Sequence, residues 1–255
     1  MRFLIVLAAL LPALPATAAP TPPTGKWLVD FADAQCVASR AYGEEQFFLK
    51  FSPMGDVVQV GLMRPAGFSG PRPVDALMRP GTGAAFKGSA IAYSPGKSGQ
   101  RIYLVNLPVA EFNRLSGSPT LALQFGDLRR ELAVSGMSAL AKVMMQCIDH
   151  LQSIWIADDN KGPKAKANLG SYFTDGDYPA DAIRWEESGT TVFALLVDES
   201  GRVADCMVTQ TSKHASLDTQ TCAILKARAR FDPAIGADGK PRKGRLLGRI
   251  EWKLP

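Results

Sequence analysis

The chain predicts an α+β fold, and three observations support it. Residues 26–134 break into short runs of β-branched and aromatic residues punctuated by Pro and Gly. From Gly136 the apolar period changes from two to between three and four, the mark of an amphipathic helix. Beyond residue 176, helical and strand-like runs follow in the order helix, strand, strand, helix, strand. Together they describe an N-terminal β-rich domain, sandwich- or barrel-like and closed by a helix, followed by a smaller αββαβ domain.

The first element is a targeting segment. MRFLIVLAALLPALPATAAP combines Arg2, an apolar run over residues 3–14 and the small-x-small site Ala16-Thr17-Ala18. That run is too short for a span, which needs about 20 residues, so residues 1–18 read as a cleaved signal peptide, with no transmembrane segment after cleavage. The β-rich domain is expected over 19–156, with strands at KWLVDF, CVASRAY, QFFLKF, VVQVGLM, RIYLVNL, TLALQF and ELAVSG. SPMGD, RPAGFSGPRPVD, RPGTG and SPGKSG read as its turns, and VAEFNRLSG as one helical turn. GMSALAKVMMQCIDHLQSIW is the closing helix, with Leu140, Val143, Met144, Cys147, Leu151 and Ile154 on its apolar stripe. Residues 157–175 are polar, rich in Lys and Gly, and without either period: a linker.

In the C-terminal domain, 176–255, YPADAIRWEE reads as a short helix opened by Pro179. TTVFALLV and RVADCMVTQ flank DESG as a hairpin, and LDTQTCAILKARARF is a helix with Ser216 at its N-cap and Asp218 in its first turn. RLLGRIEWKLP is the final strand.

Composition narrows the function. The formal net charge of +5 falls to +4 when Arg2 leaves, a mild excess that gives no nucleic-acid signature. The two histidines, His150 and His214, lie in different domains, so neither a Ser-His-Asp triad nor a three-ligand catalytic zinc site is visible. PGTG and SPGKSGQR lack the strand–loop–helix order of a phosphate loop. No catalytic residue, metal ligand or cofactor is assigned.

Cys36, Cys147, Cys206 and Cys222 form an even set in an exported chain, where disulfides are the default. Cys147 is expected to reach Cys36 and clamp the closing helix onto the sheet. Along RVADCMVTQ, Ala204, Cys206 and Val208 share one face, and Cys222 falls on the next helix, so a Cys206–Cys222 bond would tie strand to helix. The rivals are a reactive thiol pair and a zinc site with His214 and Asp218, residues spaced at four. A helix starting at Ser216 leaves His214 in the loop, which favours the staple.

The C-terminal residues resemble the C-terminal domain of the TonB family of energy-transducing proteins. The matches are Tyr178-Pro179, Gly189, Val197-Asp198, Gly201-Arg202-Val203 and Leu217-Asp218. They continue through Arg230-Phe231, Pro233-Ala234, Gly239-Lys240-Pro241 and Ile250-Glu251-Trp252. The resemblance implies a three-stranded antiparallel sheet and a non-enzymatic periplasmic binding module. Its partner would be the TonB-box peptide of an outer-membrane transporter, added as a strand beside residues 246–254. The partner-binding residues it implies are Tyr178, Pro179, Arg245, Gly248, Arg249, Ile250, Glu251, Trp252 and Lys253. Lys240, Arg242, Lys243, Arg245 and Arg249 are expected to steer an acidic partner. Full transducers keep an N-terminal membrane helix and a long Pro-rich spacer. This chain has neither, so an adaptor, or self-association through the last strand, stands as the alternative. An enzymatic N-terminal domain would need a cleft of ionisable groups within residues 26–156. That region is similar, in pattern alone, to the invasion-associated locus B family.

Overall fold

The computed structural model describes residues 19–32, 34–53, 57–95, 98–155 and 162–255. The signal peptide and the first part of the expected linker, 157–161, lie outside these residues.

The N-terminal region is one nine-stranded antiparallel sheet in the order β1-β2-β3-β4-β7-β6-β5-β8-β9. Its strands are β1 (Leu28–Ala32), β2 (Gln35–Tyr42), β3 (Glu45–Phe51), β4 (Val57–Pro65), β5 (Arg72–Pro80), β6 (Phe86–Tyr93), β7 (Gln100–Pro108), β8 (Thr120–Phe125) and β9 (Leu128–Ala133). The sheet curls on itself until its two ends communicate. Thr21 bridges Leu132, Thr24 N donates to Ala41 O, and the Tyr42 hydroxyl donates to Ala133 O at 2.9 Å. It is a single curled sheet, without the second layer of a sandwich.

Strand β5 overlaps the expected turns RPAGFSGPRPVD at its start and RPGTG at its end, and β6 lies in a stretch to which no element was assigned from sequence. The prolines misdirected the sequence reading: Pro73 lies before the β5–β8 pairing begins at Ala76, and Pro80 closes the strand. Proline is tolerated at such edge and terminal positions, where no ladder N–H is lost.

Helix α1 (Val109–Ser116) packs Phe112 edge-on against Phe51 at 5.2 Å, so the expected single turn is a full helix. Helix α2 (Met137–Trp155) buries Met137, Leu140, Ala141, Met144, Ile148, Leu151 and Trp155. The expected stripe is therefore rotated, and Val143 and Ile154 are exposed at 44% and 37%. Met137 and Trp155, at the two ends of the helix, both lie on the buried face. Cys147 on α2 is at disulfide distance from Cys36 on β2, with the Cα atoms 6.5 Å apart.

The described part of the expected linker is ordered against the C-terminal region. Strand β10 (Lys164–Ala165) pairs with β13 (Phe231–Asp232), and Leu169, Tyr172 and Phe173 pack on the C-terminal core. These apolar residues, scattered among polar ones, carry no period, yet each gains by burial.

Next come α3 (Ala180–Arg184), β11 (Gly189–Val197), β12 (Val203–Gln210) and α4 (Ala215–Arg228). The short pair β14 (Ala234–Ile235) and β15 (Pro241–Arg242) precedes the last strand, β16 (Gly244–Trp252). Strands β12, β11 and β16 form a three-stranded antiparallel sheet with β11 in the middle. Asp198 shapes the β11–β12 turn, its Oδ1 accepting from Ser200 N, Ser200 Oγ and Arg202 N. The N-cap of α4 is His214 rather than Ser216. Asp218 is buried in its first turn, where it accepts from Thr191, Thr211 and Ser212 N. Cys222 on α4 is at disulfide distance from Cys206 on β12, with the Cα atoms 5.6 Å apart.

Both faces of this sheet are covered. Phe193, Leu195, Val197 and Cys206 lie under α4, while Ala194, Leu196 and Met207 join the core of the N-terminal region. That double burial explains the unbroken apolar run FALLV. An ion pair fixes the junction: Lys50 Nζ on β3 sits 2.9 Å from Asp205 Oδ2 on β12.

Candidate functional site

Strand β16 pairs with β11 along its full length, from Gly189↔Trp252 to Val197↔Gly244, and with no other strand among the described residues. It is an edge, and an edge offers a row of backbone donors and acceptors to an added strand. The N-terminal half of that edge is flanked. A Cβ on Gly162 would lie 3.8 Å from Arg245 O, and one on Gly244 would lie 2.8 Å from Pro163 Cδ. Beside the C-terminal half runs an open groove of about 420 Å³. One wall is the strand itself, residues 249–253; the other is the 168–175 segment with Tyr178.

Alternation along β16 sets the groove's chemistry. Ile250 and Trp252 point into the C-terminal core, where Trp252 meets Phe173 and Tyr178 edge-on at 5.4 and 5.3 Å and donates its indole N–H to Thr221 Oγ1 at 2.9 Å. Arg249, Glu251 and Lys253 point to solvent, Lys253 Nζ lying 3.3 Å from Glu251. Gly248 is needed for close packing: a Cβ there would sit 2.8 Å from the Phe193 ring and 3.1 Å from Leu169. The floor is thus rigid and aromatic, and the rim is charged.

The opposite wall is held by a polar knot. Asp177 accepts from Arg228 at 2.6 and 2.7 Å and from Thr174 N and Oγ1 at 2.8 Å. The hydrogen bonds from Arg228 outweigh the cost of burying the carboxyl, those from Thr174 add to them, and Asp177 is held well below the usual carboxylate range. Asn168 caps the turn that follows, accepting from Gly170 N at 2.9 Å.

Residues 175–254 match the family model for the Gram-negative bacterial TonB protein C-terminal. The C-terminal third is a TonB-type C-terminal domain. Comparisons with curated proteins and with solved structures find no match to the chain.

In this TonB domain, Arg249, Ile250, Glu251, Trp252, Lys253 and Tyr178 converge on the groove. Three further positions from the sequence reading do not line it. Pro179 is the N-cap of α3, Gly248 lies beneath Leu169, and Arg245 belongs to the flanked half of the strand. The steering set is also divided, because Lys243 Nζ lies 5.3 Å above the Trp155 ring of α2. The second wall went unread in the sequence. Its signal was Asn168 before Leu169, with Tyr172 and Phe173 apolar in a polar stretch. No helix among the described residues is long and apolar enough to cross a membrane.

Proposed function

We propose that the protein is an exported, periplasmic TonB-family binding module that captures an extended peptide from an outer-membrane transporter by strand addition to β16. The observation behind this reading is an unpaired β16 edge bordered by a groove, within a stretch that matches the TonB C-terminal family. Main-chain hydrogen bonds supply affinity in this mode, and pockets for alternate side chains supply selectivity. The residues proposed to take part are Arg249, Ile250, Glu251, Trp252, Lys253 and Tyr178, with Arg249 and Lys253 drawing an acidic peptide to the rim. The domains proposed are 19–156 and 176–255, and no chemical step is assigned to either.

The test is titration of the mature chain with TonB-box peptides taken from the plug-end N-termini of transporters. N-methylating alternate amides of a binding peptide should abolish capture, since each lost backbone bond is worth about 0.5–1.5 kcal/mol. A peptide that binds equally well when N-methylated on either set of amides would rule out strand addition. Failure of every such peptide, together with a concentration-dependent dimer in sedimentation, would favour self-association through the same strand.

A further inference from the structure

At one end of the nine-stranded sheet, its interior ends in a ring of arginines. Along β4 the inward positions Val58, Val60 and Leu62 lead to Arg64; along β7, Leu107, Val105 and Tyr103 lead to Arg101. On β5, Met78, Ala76 and Val74 lead to Arg72; on β9, Leu132 leads to Arg130. On β4, β5 and β7 the apolar alternation runs to the rim and ends in a guanidinium, while on β9 Arg130 stands between Leu132 and Leu128.

The carboxylates do not match this charge. Glu45 is the inward residue at the start of β3, and its oxygens accept from Arg130 Nε and Nη2 at 2.7 and 2.6 Å. Arg64 has only the edge of the same carboxylate, Nε to Oε1 at 3.3 Å. Arg64 and Arg101 are direct cross-strand partners, a like-charge pairing that costs stability. Nε of Arg64 and of Arg101 are both buried without a hydrogen-bond partner among the described residues. Buried donors without a hydrogen bond on charged groups are expensive, and Glu45 alone leaves this ring with more guanidinium charge than it balances.

The ring opens onto a cleft of about 720 Å³ lined by Arg64, Arg72, Arg129 and Arg130, with Tyr103 and Phe125 among its walls. Those two rings are stacked at 5.4 Å with 13° between their planes, and both are buried at the base. The cleft is within the size range of small-molecule sites. Guanidinium forks match phosphate and carboxylate oxygens alike, and the surplus of arginine over Glu45 and Asp127 suits a dianion better than a monoanion.

We propose that this mouth is a binding site for a phosphomonoester whose planar or apolar body lies against Tyr103 and Phe125. The site is independent of the β16 groove and of the peptide reading. Its ligand is either a soluble aryl or alkyl phosphate or the headgroup of a phosphomonoester lipid, which share the same recognition chemistry.

The experiment is calorimetric titration of the mature chain, at constant ionic strength, with inorganic phosphate, phenyl phosphate and benzoate. Phenyl phosphate should bind saturably, more tightly than inorganic phosphate and than benzoate. Arg64→Gln, which alters the cleft's own lining, should weaken it at least tenfold, and Arg64→Lys should weaken it less. Arg79→Gln, an exposed position at the other end of β5, should leave it unchanged. Without phosphate, Arg101→Gln should melt no lower than the parent, because it removes one member of the like-charge pair. Co-sedimentation with phosphatidic acid vesicles, competed by phenyl phosphate, would assign the lipid source; phenyl phosphate binding without co-sedimentation would assign the soluble one. Absence of saturable phenyl phosphate binding, tighter binding of benzoate, or undiminished binding in both Arg64→Gln and Arg72→Gln would overturn the proposal.

Discussion

Strands β12 and β16 are the two outer strands of one sheet, and the molecule treats them in opposite ways. β12 is closed by side chains. Asp205 on its outer part is 3% exposed, with Lys50 at 2.9 Å and Lys226 at 3.5 Å, and Cys206 ties the strand to α4. β16 is open along its C-terminal half, with exposed Arg249, Glu251 and Lys253 above an aromatic floor. An edge strand is a liability unless it is blunted. Here one edge is blunted for stability, and the other is left as backbone that a ligand can complete.

That contrast can be broken from either side. The largest effect belongs to the floor of the open edge: Trp252→Ala removes a buried ring and its bond to Thr221, and should cost about 3–5 kcal/mol in a denaturant titration. Peptide capture should fall with it, because the groove loses its base.

On the closed edge, replacing Cys206 and Cys222 together by Ser opens a staple of sequence separation 16, worth about 3 kcal/mol in the chain-entropy model. The folded variant should still capture peptide, which separates the two edges. Asp205→Asn should cost about 2 kcal/mol, less than a fully buried pair because Lys50 and Lys226 are 21% and 47% exposed. Calorimetric melting should also become less cooperative, since Asp205 joins the C-terminal sheet to β3.

The groove's second wall should respond to acid. Asp177 titrates below its unfolded value near 3.9, so its contribution is present above that pH and lost as pH falls through the folded value. Acid unfolding followed by tryptophan fluorescence should therefore steepen below about pH 4, and Asp177→Asn should flatten that limb while lowering stability at neutral pH. The smallest effect on stability, within about 0.5 kcal/mol, is expected for Arg249→Glu with Lys253→Glu. In stopped-flow measurements the same pair should slow association with an acidic peptide, and the difference should shrink as salt rises.

Much of this was legible in the chain. Period-two runs with turn punctuation announced a β-rich region, the change of period at Gly136 announced α2, and the order of motifs from Tyr178 to Trp252 pointed to the TonB family. These features are local: backbone sterics and the alternation of apolar residues act over a few neighbours, so they are written in sequence order. The tertiary structure decided the rest. Alternation along RVADCMVTQ puts Asp205 and Met207 on the face opposite Cys206, but only the fold brings Lys50, 155 residues away, and the N-terminal core over them. Leu169, Tyr172 and Phe173 have no period, and become one wall of a groove only because β16 lies opposite. Arg64 and Arg101 are ordinary strand-end arginines until the pairing of β4 with β7 sets them directly opposite each other. Burial and charge pairing depend on distances across the fold, and no window along the chain contains them.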